Sequence, residues 1–312
     1  MNQGWIYDDR IQSADAGQTV LEYYSQKYRH SSRAQWQAKI EAGRILRDGQ
    51  PVLCETILKT KDELAYYREP WSEPEVPLKF EVIYEDRDLL VVNKPSGLPV
   101  IPGGGFLEHT LLWQLKKQYL EDTPVPIHRL GRGTSGLLLL ARSQLAKSDL
   151  AYQMRNSTIG QEDSQINKVY RVLVSGSLKN NLTITRSIGK IPHPILGYIY
   201  GATIEGKYAK SECQVIKHYK NCTLLEVKIF TGRPHQIRIH LAAAGYPLLG
   251  DPLYIAGGTF AKINFDRQQI PVPGDCGYFL HAYRLSFTHP RSRSPISFEC
   301  ATPQEWQLQQ RL

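Results

Sequence analysis

No run of roughly 18 apolar residues occurs in this chain, so nothing in it is long enough to cross a bilayer as a helix. A charged-then-apolar leader is missing too: Met1-Asn2-Gln3-Gly4-Trp5 is soon followed by Asp8 and Asp9, and a cytoplasmic protein is the expectation. Cysteine is scarce. The five present, Cys54, Cys213, Cys222, Cys276 and Cys300, are an odd number without a CxxC pair, which argues against a disulfide framework and a standard zinc site. Gly103-Gly104-Gly105 belongs to neither a GxGxxG nor a GxxxxGK[ST] motif, so it reads as a hinge rather than a phosphate cradle. Acidic charge is also short, at 30 Asp+Glu against 38 Lys+Arg, and unevenly so. Residues 1–76 hold 10 basic and 12 acidic side chains, whereas residues 77–312 hold 28 and 18, a net of +10. Such a surface is the electrostatic footprint of a nucleic-acid partner.

What is present fits a globular protein of two domains: 312 residues, 41% hydrophobic and 22% charged. Residues 17–30 place Val20, Leu21, Tyr24 and Tyr28 at helical spacing. A second helix should start at Ser32, an N-cap with Gln35 three residues on, bury Trp36 and Ile40 on one face, and stop at Gly43. A strand over residues 44–47, an Asp48-Gly49 hairpin turn and a return strand from Gln50 complete a small helix-helix-hairpin domain. Its positive charge gathers on Arg29, Arg33, Lys39, Arg44 and Arg47. The stretch EPWSEPEVPL, residues 69–78, carries three prolines and reads as an extended linker, with the boundary placed at residue 76.

The larger domain opens with strands at residues 80–84 and 89–93 around Glu85-Asp86-Arg87-Asp88, followed by helices over 109–119 and 144–154 and a polar loop over 156–167. Between those helices lies the densest stretch, His128-Arg129-Leu130-Gly131-Arg132-Gly133-Thr134-Ser135-Gly136, running into Leu137-Leu138-Leu139-Leu140. Three glycines in six residues allow close backbone approach, two arginines offer forks for phosphate or carboxylate, and the leucines suit a strand covered on both faces. Further on, Lys168-Val169-Tyr170 begins an alternating strand, and TGRPHQIRIHLAAAGYPLLGDPLY spans residues 231–254. His235 and His240 are five apart, about 140° around a helix, so they do not share a face as metal ligands would, and no metal site is expected.

These motifs resemble, in order, those of the RluA-type RNA pseudouridine synthases: EVIYEDRDLLVVNKPSGLPV, HRL…TSGLLLLAR, KVY, GKYAKS, RPHQIRIH and LHAYRLSFTHP, covering residues 80–290. SSRAQWQAKIEAGRILRDGQPV is similar to the ribosomal-protein-S-four-like RNA-binding domain that often precedes them. The resemblance implies a mixed α+β fold: a small N-terminal RNA-binding domain, residues 1–76, then a catalytic domain, residues 77–312, with a central, mostly antiparallel sheet flanked by helices. It implies isomerisation of uridine to pseudouridine in structured RNA, rRNA or tRNA, by a monomer without cofactor. Tyr170 matches the tyrosine that stacks on the target base. Arg238 matches the arginine that pairs with the catalytic aspartate. Arg129, Arg132, Lys168, Arg233 and His235, with Arg33, Lys39 and Arg44 of the small domain, are the expected RNA contacts.

One departure falls on the family's catalytic aspartate, whose position is Gly131, and Gly133 stands at a usually polar position. Glycine offers no nucleophile, acid or base. Arg238 is therefore expected to lack its usual partner. Asp251 and Asp122 are candidate replacement carboxylates, and the alternative is a synthase-like protein that binds RNA without modifying it.

Overall fold

The structure, a computed structural model, describes residues 1–28, 30–159, 166–193, 196–257 and 272–306; Arg29 and residues 160–165 of the expected polar loop lie outside it. The chain divides into two units, Met1–Glu73 with His193–Tyr198, and Pro74–Pro192 with Ile199–Leu312.

Reciprocal caps start both helices of the first unit. After β1 (Trp5–Arg10), α1 (Val20–Lys27) begins where Thr19 and Glu22 cap each other, and α2 (Arg33–Glu41) where Ser32 and Gln35 do so. Helix α2 closes at Gly43, whose N–H donates to Ile40 O at 2.9 Å. Strands β2 (Ile45–Arg47) and β3 (Gln50–Pro51) flank a turn in which Asp48 and Gly49 both have positive φ, as the tightest hairpins require. Strand β4 (Glu63–Arg68) then completes an antiparallel sheet of order β1-β4-β2-β3. Trp36, Tyr23, Tyr24, Ile40 and Ile45 form the core beneath it.

The second unit is built on one large sheet. Strands β5 (Glu81–Glu85) and β6 (Leu89–Lys94) form a hairpin whose turn is held by Asp86 Oδ1, which accepts from the N–H groups of Asp88 and Leu89. Then come α3 (Leu111–Gln118), β7 (Val125–Pro126), β8 (Ser135–Ala141), α4 (Gln144–Ile159) and β9 (Asn167–Ser175). They are followed by β10 (Leu182–Thr185), β11 (Ile188–His193), β12 (Gly197–Ala202), β13 (Lys210–His218), β14 (Cys222–Ile229), α5 (Gln236–Ala243), β15 (Leu280–Thr288) and β16 (Pro295–Glu299). The sheet runs β10-β13-β14-β9-β15-β8-β6-β5, with β7 and β16 pairing β8 and β15, while β11 and β12 pair separately. Every pairing in the large sheet is antiparallel except β15 with β8.

All seven residues of β8 are buried, as its unbroken leucines lead one to expect of a strand covered on both faces. Helix α4 runs past Met154 to Ile159, through part of the expected polar loop, because Asn156, Ser157 and Thr158 introduce no glycine or proline to stop it. The triple glycine is a tight turn, not an open hinge: Gly103 and Phe106 exchange backbone hydrogen bonds of 2.9 and 3.1 Å. Among the described residues no helix is long and apolar enough to cross a membrane.

Candidate active site

The loop preceding β8 is fixed at both ends before it carries any chemistry. At its entry to the sheet, Gly136 has φ +103° and lies so close to β15 that a Cβ would sit 2.4 Å from Ala282 O, so only glycine fits. Beside it, Ser135 Oγ bonds His281 Nδ1 at 2.9 Å. Upstream, the Lys94-Pro95-Ser96-Gly97 segment holds the loop through its carbonyls. Gly97 N–H donates to Arg132 O (2.8 Å) and Ser96 Oγ to Gly133 O (2.8 Å). Lys94, wholly buried, directs its ammonium at Pro95 O and Leu98 O, both at 2.8 Å, and Arg132 O at 3.2 Å; burial brings its pKa down to about 7.

Helix α5 brings Arg238 against Tyr278, the residue that packs on this loop. Its first turn is locked by Gln236, whose amide oxygen accepts from Thr231 Oγ1 and Arg233 N–H and whose nitrogen donates to Lys210 O and Ser211 Oγ. Arg238 meets Asp251 through two parallel bonds, Nε to Oδ2 at 2.7 Å and Nη2 to Oδ1 at 2.8 Å. The side chains are 2% and 0% exposed. Burial opposes the guanidinium charge, and the bonds to Asp251 outweigh it, so Arg238 stays cationic. The expectation that Arg238 lacks a partner is thus corrected: a carboxylate thirteen residues on occupies its fork. Asp251 Oδ1 also accepts from the N–H groups of Leu253 and Tyr254, at 2.9 and 3.0 Å. With four hydrogen bonds to its two oxygens and no exposure, it holds Arg238 rather than standing ready to attack. Asp122 is exposed on the bend before β7, at the Ala141 end of β8, which lies about 20 Å along that strand from its loop-facing end.

The space at Gly131 and Gly133 is filled by Tyr278, a residue the sequence reading did not single out. A Cβ at Gly131 would lie 3.0 Å from Tyr278 Oη, and one at Gly133 only 2.9 Å from its Cζ. The ring is also covered by Arg238, whose guanidinium carbon is 4.1 Å from its centroid. Thr134 Oγ1 lies 3.5 Å from the hydroxyl. Tyr278 and Asp251 are brought together by backbone contact: a Cβ on Gly250, at φ +75°, would be 2.2 Å from Gly277 O. The signal in the sequence was the pair of glycines, since bulk lost at two neighbouring positions leaves a space that one large side chain can fill.

Tyr170 is buried on β9. Gly136, Ala282 and Tyr170 form one row across β8, β15 and β9, which puts Tyr170 about 10 Å across the sheet from the loop's end. Burial moves its phenol up to about 12. Arg129 is exposed without a partner among the described residues. Arg132 donates through Nε to Gly274 O at 2.7 Å, and Arg233 through Nε to Tyr208 O at 2.9 Å. Two expected RNA contacts lie inward instead. Lys168 is 5% exposed, its ammonium 3.7 Å from Met154 Sδ, and burial brings its pKa down to about 8; it cannot reach a phosphate from there. His235, half-buried, bonds Tyr254 Oη through Nδ1 at 2.8 Å, and burial with Arg238 nearby lowers its pKa to about 4, so the ring is neutral. The Tyr254 hydroxyl donates to Tyr200 O, so Nδ1 carries the proton. His240 is buried and bonded at both nitrogens, to Ser211 Oγ and Arg186 O. Among the described residues no cluster of three His, Cys, Asp or Glu is placed to hold a metal.

In the N-terminal unit Arg33 is exposed at the start of α2. Lys39 lies 4.0 Å over the Trp36 ring and donates to Ser31 Oγ, and Arg44 pairs with Glu69.

Comparison with known proteins agrees with this architecture. A family model for RNA pseudouridylate synthase matches residues 88–243, which include the fixed loop and Arg238. An uncharacterized RNA pseudouridine synthase of Synechocystis is 46% identical, over 92% of this chain and 94% of that protein. RNA pseudouridine synthase 5 of Oryza sativa is 40% identical, over 97% and 88%. The human RNA pseudouridylate synthase domain containing 1 protein shares the fold, with a TM-score of 0.55 at 23% identity, over 74% of this chain and 87% of that one. The chain belongs to the RNA pseudouridine synthase family. It is by that membership an isomerase that modifies RNA.

Proposed function

We propose that this protein converts a uridine of structured RNA, rRNA or tRNA, into pseudouridine in a site made of the 128–136 loop, Tyr170 and Arg238, with Gly131 at the family's nucleophile position. The observation that carries the reading is the buried Arg238–Asp251 pair. It keeps a cation fixed against the loop at the position the motif assigns to the site arginine, although the motif's own carboxylate is missing. The base must leave its stack to react, and Tyr170 supplies the aromatic platform that a flipped base needs. Arg129, Arg132 and Arg233 face the backbone, with the +10 charge of residues 77–312 drawing the RNA in. The N-terminal unit, read as ribosomal-protein-S-four-like, adds Arg33, Lys39 and Arg44. The reaction is an isomerisation and calls for no cofactor; the protein acts as a cytoplasmic monomer.

The test is to map pseudouridine at nucleotide resolution in total RNA from cells with and without the gene, then rescue with wild type and Arg238→Ala. A site that disappears and returns only with wild type is the expected result. An unchanged map, with the protein still crosslinking to RNA, refutes the reading.

A further inference from the structure

The two glycines that depart from the family motif have a single structural counterpart. Tyr278 lies against both, its hydroxyl 3.0 Å from where a Gly131 side chain would begin, closer than ordinary van der Waals contact, and its ring against Gly133. A tyrosine is far too large to share this space with side chains at 131 and 133. The three positions therefore form one unit, in which bulk and a polar terminus are supplied from residue 278. The hydroxyl is almost unsolicited. Among the described residues its one hydrogen-bond neighbour is Thr134 Oγ1, at the long limit of 3.5 Å, and Gly131 beside it is exposed.

We propose that Tyr278 is the catalytic residue of this site, its hydroxyl oxygen doing at the ribose what Gly131 cannot. The proposal rests on the synthase reading above. As phenolate, Oη takes the proton from ribose C2′. The C2′–H pair becomes the C1′=C2′ bond, and the pair of the breaking C1′–N1 bond leaves on uracil. After the base turns, its C5 adds to C1′ while the phenol returns the proton to C2′. Loss of the C5 proton and gain of one at N1 complete pseudouridine with no net change in atoms or charge. Tyrosine is an established proton-transfer group when held in position.

Position here comes from the groups packed around it. Arg238 lies on the ring and is paired with Asp251, the Tyr254 ring centroid also lies 4.9 Å from the guanidinium carbon, and Thr134 and Cys276 are near the hydroxyl. Burial keeps the phenol protonated well into the alkaline range, and Arg238 draws the other way without overcoming it. Turnover should consequently climb with pH across the neutral and mildly alkaline range instead of reaching a plateau.

Total RNA from a strain lacking the gene, labelled with 5-tritiated uridine, serves as substrate, and tritium release reports each turnover. Tyr278→Phe removes one oxygen with a single weak contact, so folding and RNA affinity by filter binding should stay within about twofold. Single-turnover rate should fall about 100-fold or more, the scale of a lost proton-transfer group. Replacing Tyr278 by a fluorotyrosine of lower pKa should move the rising limb of the pH–rate profile to lower pH. A Tyr278→Phe rate within tenfold of wild type, or a limb that ignores fluorination, overturns the proposal while leaving the synthase reading intact. Absence of tritium release by the wild-type protein defeats both.

Discussion

Replacing Asp251 with alanine strips a buried guanidinium of its only ion-pair partner among the described residues and leaves the N–H groups of Leu253 and Tyr254 without their side-chain acceptor. Both ionic side chains are out of water, so solvent cannot step in as it would at a surface pair. Breaking such a pair from one side costs roughly 3–5 kcal/mol. For a unit of this size that lowers the melting temperature by about 10 °C. Asp251→Asn should cost less, because the amide oxygen still accepts from the backbone while the charge is lost. Urea unfolding of the full-length protein, followed through the transition of the larger unit, measures both. The informative companion is Arg238→Met with Asp251→Leu. Removing both charges together should recover most of the stability lost in the single alanine variant and yet leave no activity, because the pair's desolvation is relieved but the site's cation is gone. A loss below about 1 kcal/mol for Asp251→Ala would refute the claim that the pair is dry and mutually required.

The crowding at Gly131 predicts a coupling. Gly131→Asp should destabilise wild type but be better tolerated with Tyr278→Phe, since the 3.0 Å neighbour is then absent and Thr134 Oγ1 at 3.5 Å becomes the nearest atom; a double-mutant cycle of thermal shifts that shows simple additivity would contradict it. Lys168→Met should stabilise the protein at pH 7 by about 2–3 kcal/mol without weakening RNA binding. The folded-state pKa of Lys168 is lowered, so between about 8 and the unfolded value the unfolded chain binds the extra proton; wild-type stability therefore rises with pH across that window, and the advantage of the methionine variant should shrink there. A methionine variant no more stable than wild type at pH 7 would show the ammonium to be solvated.

Local features were legible where one short stretch contains all the chemistry. Ser32 with Gln35, Asp48-Gly49, and the leucines of β8 each carry their conformation in a few residues, and the mixed α+β class with a mostly antiparallel sheet followed from the family likeness. Strands β1 and β4 were not read, because Trp5–Arg10 is largely exposed and ends in Asp-Asp-Arg, and its pairing is decided by a partner some sixty residues away. The same applies to the site. Arg238 and Tyr170 could be nominated from motifs, but the Asp251 fork and Tyr278 depend on how the chain returns, and no spacing rule links 131 to 278. Lys168 misled because a lysine beside RNA-binding motifs suggests phosphate, whereas its strand face points into the core.

The order of strands has a consequence for how the protein is made. Strand β15 sits in the middle of the large sheet, between β8 and β9, yet both neighbours are synthesised long before it; Ser135 waits for a histidine 146 positions later. Until residue 280 and beyond leave the ribosome, β8 and β9 each present a bare edge of strongly apolar sequence. Exposed edges of this kind invite pairing with other chains. From the end of β14 at Ile229 until β15 emerges, the nascent protein thus holds two unjoined half-sheets, and the strand that joins them also brings the segment carrying Tyr278 to the loop. Completion of the fold and completion of the site are one late event, so a chain stalled shortly before β15 is at once without its reactive centre and a hazard for aggregation.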